Sequence, residues 1–347
     1  MFYICMAVII FAGIVFWDKN NVEQRKFFIA IAFAVLFLYA ALRDPLYSGD
    51  LAGYVRKFDY YSTYSLKQML SLYATSTKNP TYHMLGWLFS RILPYGQAWV
   101  AFLAAIYLGV VSYIVFTESK RPALSFIIFL SLGFFAFSLT GMRQTVAMAI
   151  TTLAFYSVKN RKPIKFIITV VLASLFHSSA IIFLVIYPLA RKKLGFLHLA
   201  IAGVTSGLFL FGQSFIREWI ATSFEESYLS GYAQREEALN FTGFLIQACI
   251  FVFALVYYRK VTDKNPEAIV LYNLCFLGLI FQLFSSMVAE MFRISMYFSF
   301  FNILLIPLCI ETEEEYKMNF LEGLLISVVF VLYIVMKGLP QYRFFWL

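Results

Sequence analysis

The chain has 347 residues, of which 61% are hydrophobic and only 14% are charged, and its net charge is +9 at pH 7. Soluble domains average about 25% charged residues, so this composition excludes an ordinary soluble enzyme and indicates a polytopic membrane protein. In such a protein an excess of Lys and Arg is typical of cytoplasmic loops. We therefore do not expect nucleic acid as a partner.

Ten apolar runs are candidates to cross a bilayer, which takes about 20 helical residues. They lie at 1–17, 27–42, 97–117, 122–140, 143–158, 194–215, 241–258, 268–289, 291–310 and 319–337. The first run lacks the basic start and the cleavage site of a signal peptide, so we expect it to be retained as a helix. The predicted fold class is all-α, with about ten full transmembrane helices in a single domain over 1–347.

Basic clusters predict the topology, because cytoplasmic loops carry most of the Lys and Arg. The clusters lie at 19–26, 120–121, 159–165, 191–193 and 259–264. If all are cytoplasmic, the segment 166–190 has 25 residues, whereas two full crossings need about 40. We therefore predict a re-entrant pair of half-helices that breaks near His177. Counting the crossings between cytoplasmic clusters in the same way predicts a short or re-entrant helix at 81–94. It also predicts outer loops at about 43–80 and 216–240.

Arg143, in the stretch SLTGMRQTVAMAI, is the only charged residue between Pro122 and Val158. An arginine at membrane depth costs at least ~2.5–3.5 kcal/mol on insertion scales and usually serves a site or a partner. We expect Arg143, with Gln144 beside it, to point into a packed bundle or cavity. The alternative is a helix-end arginine that reaches the lipid headgroups.

Three further stretches carry polar groups that could do chemistry. In LRDPLYSGDLAGY, Arg43 ends the second span, and Asp50 and Tyr54 are one helical turn apart; Asp50 could instead cap the helix. In FHSSA, His177 is a candidate for proton transfer because histidine as a residue type changes charge near neutral pH, although a lone histidine is often a core group.

The third stretch is AEMFRISMY, in which Glu290, Arg293 and Tyr297 share a helix face. A Glu–Arg pair that neutralises itself is the alternative there. The four cysteines have neither metal-site spacing nor neighbouring histidines, so we expect no metal and no cofactor.

Five pieces of the sequence stand in a fixed order along the chain. They are Arg43 with Gly49, Asp50 and Tyr54; Asn79-Pro80 before a short helix; Gly141-Met142-Arg143-Gln144 with Ala147; Phe176-His177 with Ser179-Ala180; and Arg293-Ile-Ser-Met-Tyr-Phe before Pro307. Together they resemble the EpsG family, the Wzy-like polymerases of bacterial polysaccharide repeat units. The resemblance spans about 40–310. The chain has Asn79 where this family usually has an acidic residue.

The resemblance implies a GT-C-like, metal-independent glycosyltransferase in the bacterial inner membrane. It would polymerise undecaprenyl-pyrophosphate-linked oligosaccharide repeat units at the outer face, in exopolysaccharide, capsule or O-antigen biosynthesis. Three groups of residues carry the implied site: Arg43, Arg143 and Arg293 for the pyrophosphate; Asp50, His177 and Glu290 for catalysis, with a carboxylate favoured as the base; and Tyr54, Gln144 and Tyr297 for sugar contact or positioning. Its implied partners are the lipid-linked oligosaccharide, membrane lipid and a separate chain-length regulator protein.

Three other functions compete with this interpretation. A flippase for lipid-linked oligosaccharides would need a cationic cavity open to each face in turn, and inverted repeats are typical of such transporters. A membrane O-acetyltransferase of polysaccharide would need a histidine reachable from the cytoplasm, which His177 would satisfy if 166–190 crossed only once. A structural membrane protein would leave the lone charges on one face unexplained.

Overall fold

A computed structural model describes residues 2–15, 21–45, 49–75, 79–212, 240–287, 291–311, 316–337 and 342–346. Two of the residue sets considered above fall outside these ranges. Glu290 lies outside the described residues, as does the outer loop predicted at 216–240 up to residue 239.

The described chain is helical, apart from one isolated β-bridge between Arg43 and Phe344. The α-helices are α1 Phe2–Val15, α2 Val22–Ala41, α3 Gly49–Ser62, α4 Leu66–Thr75, α5 Pro80–Ser90, α6 Gly96–Glu118, α7 Pro122–Ser131, α8 Phe134–Ser138, α9 Met142–Lys159, α10 Pro163–Phe176, α11 Ile186–Leu189, α12 Phe196–Phe211, α13 Thr242–Val256, α14 Tyr258–Lys264, α15 Ile269–Ser285, α16 Met291–Ser299, α17 Asn302–Glu311 and α18 Tyr316–Lys337. Two 3₁₀ segments, Ser178–Val185 and Pro266–Ala268, complete the elements.

The contacts divide the chain into two compact units. The first unit comprises residues 1–184 and 303–347, and the second comprises 185–302. In the first unit α2 and α9 pack on α6, α10 packs on α9, and α5 contacts α3, α4 and α10. In the second unit α15 packs on α13 and α16.

Four helical segments in the described residues are long and apolar enough to cross a membrane: Val22–Ala41, Gly96–Glu118, Pro266–Ser285 and Met291–Glu311. A fifth is added if α13 and α14, which are bent by 59°, form one broken span. Shorter apolar helices of 10–17 residues are also present, among them Phe2–Val15, Pro163–Phe176 and Phe196–Phe211. The all-helical, multi-span architecture is therefore confirmed, whereas the count of about ten full spans stays a prediction.

The run 122–140 does not form the single helix predicted for it. The helix α7 ends at Ser131, and Gly133 adopts a left-handed φ of 83° before the short α8 begins. Glycine adopts this conformation without the steric penalty that a Cβ brings. The prediction of one continuous span at 122–140 was therefore wrong, because hydrophobicity alone does not register a left-handed residue.

The break predicted near His177 is confirmed. The helix α10 ends at Phe176, His177 is extended, and the chain continues as the 3₁₀ segment Ser178–Val185. The short helix predicted at 81–94 is also present, as α5. Whether these segments are re-entrant stays a prediction, since helix geometry gives no membrane side.

A proline in α17 shows how the interior of the first unit satisfies its backbone. Pro307 has no N–H to donate to the carbonyl of Ile303, four residues earlier. The Ser125 hydroxyl of α7 donates to that carbonyl instead, at 2.6 Å. A buried carbonyl would otherwise be left unpaired, which costs about 1–3 kcal/mol.

One glycine of the second unit lies where two helices approach each other closely. A Cβ at Gly278 of α15 would lie 2.8 Å from the backbone N of Ser299 and 2.9 Å from its Cα. Because backbone atoms cannot rotate away, Gly278→Ala should force α15 and α16 apart. We expect a loss of about 1–3 kcal/mol, as for other overpacked cores, measured as a lower thermal midpoint in detergent.

The control for this prediction is Gly203→Ala in α12 of the same unit, where a Cβ would meet no atom within 4 Å. We expect its thermal midpoint to be unchanged or slightly higher, because alanine lowers the entropy of the unfolded chain. Equal midpoints for the Gly278 variant and wild type would contradict the close approach of the two helices.

Candidate active site

One buried cluster joins the helices that carry the candidate residues of the first unit. Its buried members come from α3, α5, α6 and α9: Leu51, Phe58, Tyr82, Trp99, Val100, Leu103, Met142 and Val146. Tyr54 of α3 and Phe176 of α10 pack against it. The cluster therefore fixes Tyr54, Arg143 and the break at His177 relative to one another.

Arg143 lies in the first turn of α9, two residues after Gly141. A Cβ at Gly141 would lie 2.4 Å from the Phe137 ring, so a larger residue there would require that ring to move. The first N–H groups of a helix have no partner within the helix, and the helix dipole is positive there. Arg143 thus adds a full positive charge to an end that already favours anions.

Asn79 is a hydrogen-bond partner of the Arg143 guanidinium. In the amide orientation assigned from its neighbours, the oxygen accepts from Arg143 Nη1 at 3.2 Å and the nitrogen donates to the carbonyl oxygen of Phe176 at 3.2 Å. In the opposite orientation the oxygen accepts from the Ser178 N–H at 3.3 Å instead. Asn79 precedes Pro80 of α5 with a left-handed φ of 50°, which short polar side chains tolerate. One amide therefore links α5, α9 and the end of α10.

Arg143 also contacts an aromatic face. Its Cζ lies 5.5 Å from the centre of the Tyr54 ring, a distance within the range of a cation–π interaction. The Arg143 Nε is buried and has no hydrogen-bond partner among the described residues. The guanidinium is thus positioned by Asn79 and Tyr54 but retains hydrogen-bonding capacity for a ligand.

Arg43 lies just beyond the end of α2 and is buried, with 6% of its surface exposed. Its Nη2 donates to the carbonyl oxygen of Leu139, four residues before Arg143. Burial lowers the pKa of Arg43 to about 10, while Tyr39 and Tyr342 act in the opposite direction. The group is therefore still charged at neutral pH, and it secures the loop that leads into α9.

The C-terminal residues 342–346 pair with the chain around Arg43. The Asp44 N–H donates to the Arg343 carbonyl at 2.8 Å, and the Phe345 N–H donates to the Leu42 carbonyl at 3.0 Å. Arg343 Nε lies 3.6 Å from Asp44 Oδ2. We name residues 342–346 the tail strap; it holds the backbone on both sides of Arg43.

The tail strap gives a prediction for Phe345→Pro. This variant removes the N–H that bonds to Leu42, whereas Phe345→Ala keeps it. We expect the proline variant to lower product formation about three- to tenfold, the effect of one or two kcal/mol, and the alanine variant to lower it less. Both are assayed with the reconstituted protein described below; equal rates for the two variants would exclude a role for this bond.

His177 and Asp50 also belong to the first unit. The His177 Nδ1 is 2.9 Å from the Ser179 hydroxyl, and the residue directly follows Phe176, which Asn79 contacts. Asp50 lies in the first turn of α3 and is exposed. Whether Asp50 also caps this helix stays a prediction; a carboxylate in the first turn is favoured by the positive end of the helix dipole.

Gln144 is buried beside Arg143 in α9. Arg293 and Tyr297 lie in α16 of the second unit, where Tyr297 is buried and Arg293 half-buried. The Arg293 Cζ is 5.9 Å from the centre of the Phe292 ring. The pairing of Arg293 with Glu290 stays a prediction, since Glu290 is outside the described residues.

Sequence reasoning did not select His83 of α5. Burial, together with the charges of Arg143 and Lys57, lowers the pKa of His83 to about 4, so its ring is neutral at pH 7. Sequence reasoning also gave no role to the tail strap in holding Arg43. The Asn79-Pro80 pair was the signal for the first omission, since it predicts the start of α5.

The family profile of the EpsG family matches residues 26–346, nearly the whole chain. The chain belongs to the EpsG family. Comparisons with curated proteins and with solved structures gave no significant match. The resemblance found in the sequence is thereby confirmed, and the match includes Arg43, Asn79, Arg143, His177 and the tail strap.

EpsG proteins are related to Wzy-like polymerases. The apolar helices and the family together identify a multi-pass membrane protein of polysaccharide biosynthesis. A GT-C-like fold for this EpsG chain stays a prediction.

Proposed function

We propose that this EpsG protein is a glycosyltransferase that polymerises oligosaccharide repeat units carried on undecaprenyl pyrophosphate, at the outer face of the bacterial inner membrane. The observation that carries the proposal is the Arg143 guanidinium at the N-terminus of α9, oriented by an amide and an aromatic ring. Arginine matches the oxygens of a pyrophosphate with a planar fork of donors. A neutral ligand would not need such a group.

The reaction exchanges one bond at the anomeric carbon of the donor sugar. The bond from that carbon to the pyrophosphate oxygen breaks, and the lipid pyrophosphate leaves with the electron pair. A bond to an acceptor hydroxyl oxygen forms, and the hydroxyl proton passes to a base. Arg143 would stabilise the charge that develops on the leaving group, with Arg43 adding positive charge and fixing the loop before α9.

For the base we propose a carboxylate, since such transfers commonly use one. Asp50 is exposed at the start of the helix that carries Tyr54, and Glu290 is the other candidate. His177 is proposed as a positioning residue, with its ring oriented by Ser179. For Gln144, Arg293 and Tyr297 a role in substrate binding or positioning stays a prediction, as does an interaction with a chain-length regulator.

The test uses purified protein in proteoliposomes with a lipid-pyrophosphate-linked repeat unit extracted from the producing cells. The expected product is a ladder of chains that differ by one repeat unit. Movement of single units between leaflets without a ladder would instead favour the flippase. Transfer of acetyl groups to unpolymerised units would favour the O-acetyltransferase.

A further inference from the structure

A row of aromatic rings leads from Arg143 to the surface of the first unit. Tyr54, which contacts Arg143, begins the row. Successive ring centres are 4.8–6.0 Å apart in the order Tyr54, Tyr82, His83, Tyr61, Tyr64 and Tyr60. We call these six residues the ring row. Tyr82 is 3% exposed and Tyr60, at the outer end, is 60% exposed, while the other four residues are partly buried.

The outer end of the ring row is held in place from α5. Trp87 Nε1 donates to the Tyr64 carbonyl at 2.9 Å. Arg91 Nη2 donates to the carbonyls of Ser62 and Tyr64 at 2.9 and 2.8 Å, and its Cζ lies 4.7 Å from the centre of the Trp87 ring. The backbone that carries the outer tyrosines is therefore fixed before any ligand arrives, which lowers the entropic cost of binding.

Charged and apolar residues both adjoin the ring row. Arg56, Lys57 and Asp59 are exposed on the same helix as Tyr60 and Tyr61, and Leu66, two residues after Tyr64, is exposed as well. The row also runs inward to a buried tyrosine and the Arg143 site instead of ending at the surface. The cleft beside it has a free interior of only about 10 Å³, enough for about one water, so a larger ligand must lie along the rings.

We propose that the ring row is a saccharide-binding track, which holds the sugar chain whose reacting end lies near Arg143. The proposal rests on the proposed polymerase function. Pyranose rings carry apolar C–H faces edged by hydroxyl groups. Tyrosine presents an apolar face with a polar tip, and it therefore matches both parts of a sugar.

The test measures binding of the producing cells' own polysaccharide after mild acid has removed its lipid pyrophosphate. The protein is held in nanodiscs, and wild type is compared with Tyr61→Ala, Tyr60→Ala and the double variant. We expect the dissociation constant to rise at least about fivefold for Tyr61→Ala and about twentyfold for the pair, the size of interface contacts above 1 kcal/mol. Tyr61→Phe, which keeps the ring, should bind nearly as well as wild type.

A control variant tests whether the effect is specific to the ring row. Tyr95→Ala removes an exposed tyrosine of the same unit that lies outside the row, and it should bind the lipid-free chain normally. The track would be overturned if wild type did not bind the polysaccharide. It would also be overturned if the double variant bound it with the same dissociation constant as wild type. Lower thermal stability in the tyrosine variants with unchanged binding would overturn it in favour of a lipid contact.

If the tyrosine variants lose binding while Arg143→Ala still gives a full ladder, the role of Arg143 fails and the track stands. If the tyrosine variants bind normally while Arg143→Ala gives no ladder, the track fails and the polymerase stands.

Discussion

Replacing Arg143 by alanine is expected to slow polymer formation at least about 100-fold, the usual cost of removing one preorganised donor to a developing charge. The variant removes the only guanidinium in the first turn of α9, while Asn79 and Tyr54, which position it, remain. The measurement is the ladder made by reconstituted protein from a lipid-linked repeat unit, with initial rates compared at equal protein.

Two variants control for charge and folding. Arg143→Lys keeps the positive charge but not the planar fork, so we expect it to restore only a small part of the rate. Arg56→Ala removes an exposed arginine of α3 in the same unit and should give the wild-type ladder. A wild-type ladder from Arg143→Ala would remove the main support for a pyrophosphate site at this helix end.

Replacing Arg43 by alanine is expected to lower both stability and polymer formation. The buried Leu139 carbonyl would lose its donor, which costs about 1–3 kcal/mol, and the loop before α9 would lose its anchor. We expect the thermal midpoint in detergent to fall and the rate of ladder formation to drop at least about tenfold, the effect of 1.4 kcal/mol.

Arg43→Gln separates the two roles of this residue, because its amide provides a donor without a charge. If the charge acts on the pyrophosphate, this variant should regain part of the lost stability but little of the rate. Full recovery of both properties would mean that Arg43 only secures the loop. Arg43→Lys, which keeps charge and donor, should recover more of the rate than glutamine does.

Much of the architecture follows from patterns along the chain. The break near His177 was predicted because the segment between two basic clusters is too short for two crossings. The structure agrees with this prediction, since α10 ends at Phe176. The interruption of 122–140 at Gly133 was not predicted, because no charged residue and no proline lies near it. Hydrophobicity reports burial, whereas a left-handed residue depends on local sterics.

The partners of the candidate residues could not be predicted in the same way. Asn79 and Arg143 are 64 positions apart, and their contact exists because α5 and α9 belong to one buried cluster. The tail strap reaches Arg43 from the far end of the chain through backbone hydrogen bonds, and such bonds carry no side-chain signature. Long-range pairing of this kind has no period that a sequence pattern could reveal.

The sequence by itself determined that this is a helical membrane protein with rare charges, and that Arg43, Arg143 and Arg293 are costly to keep in apolar surroundings. The composition and the scarcity of charged residues in the apolar runs suffice for those conclusions, because the bilayer penalises a charge wherever it lies along a span. Only the tertiary structure decided which groups hold Arg43 and Arg143. Orientation and remaining hydrogen-bonding capacity depend on neighbours from other helices, and packing alone brings those neighbours together.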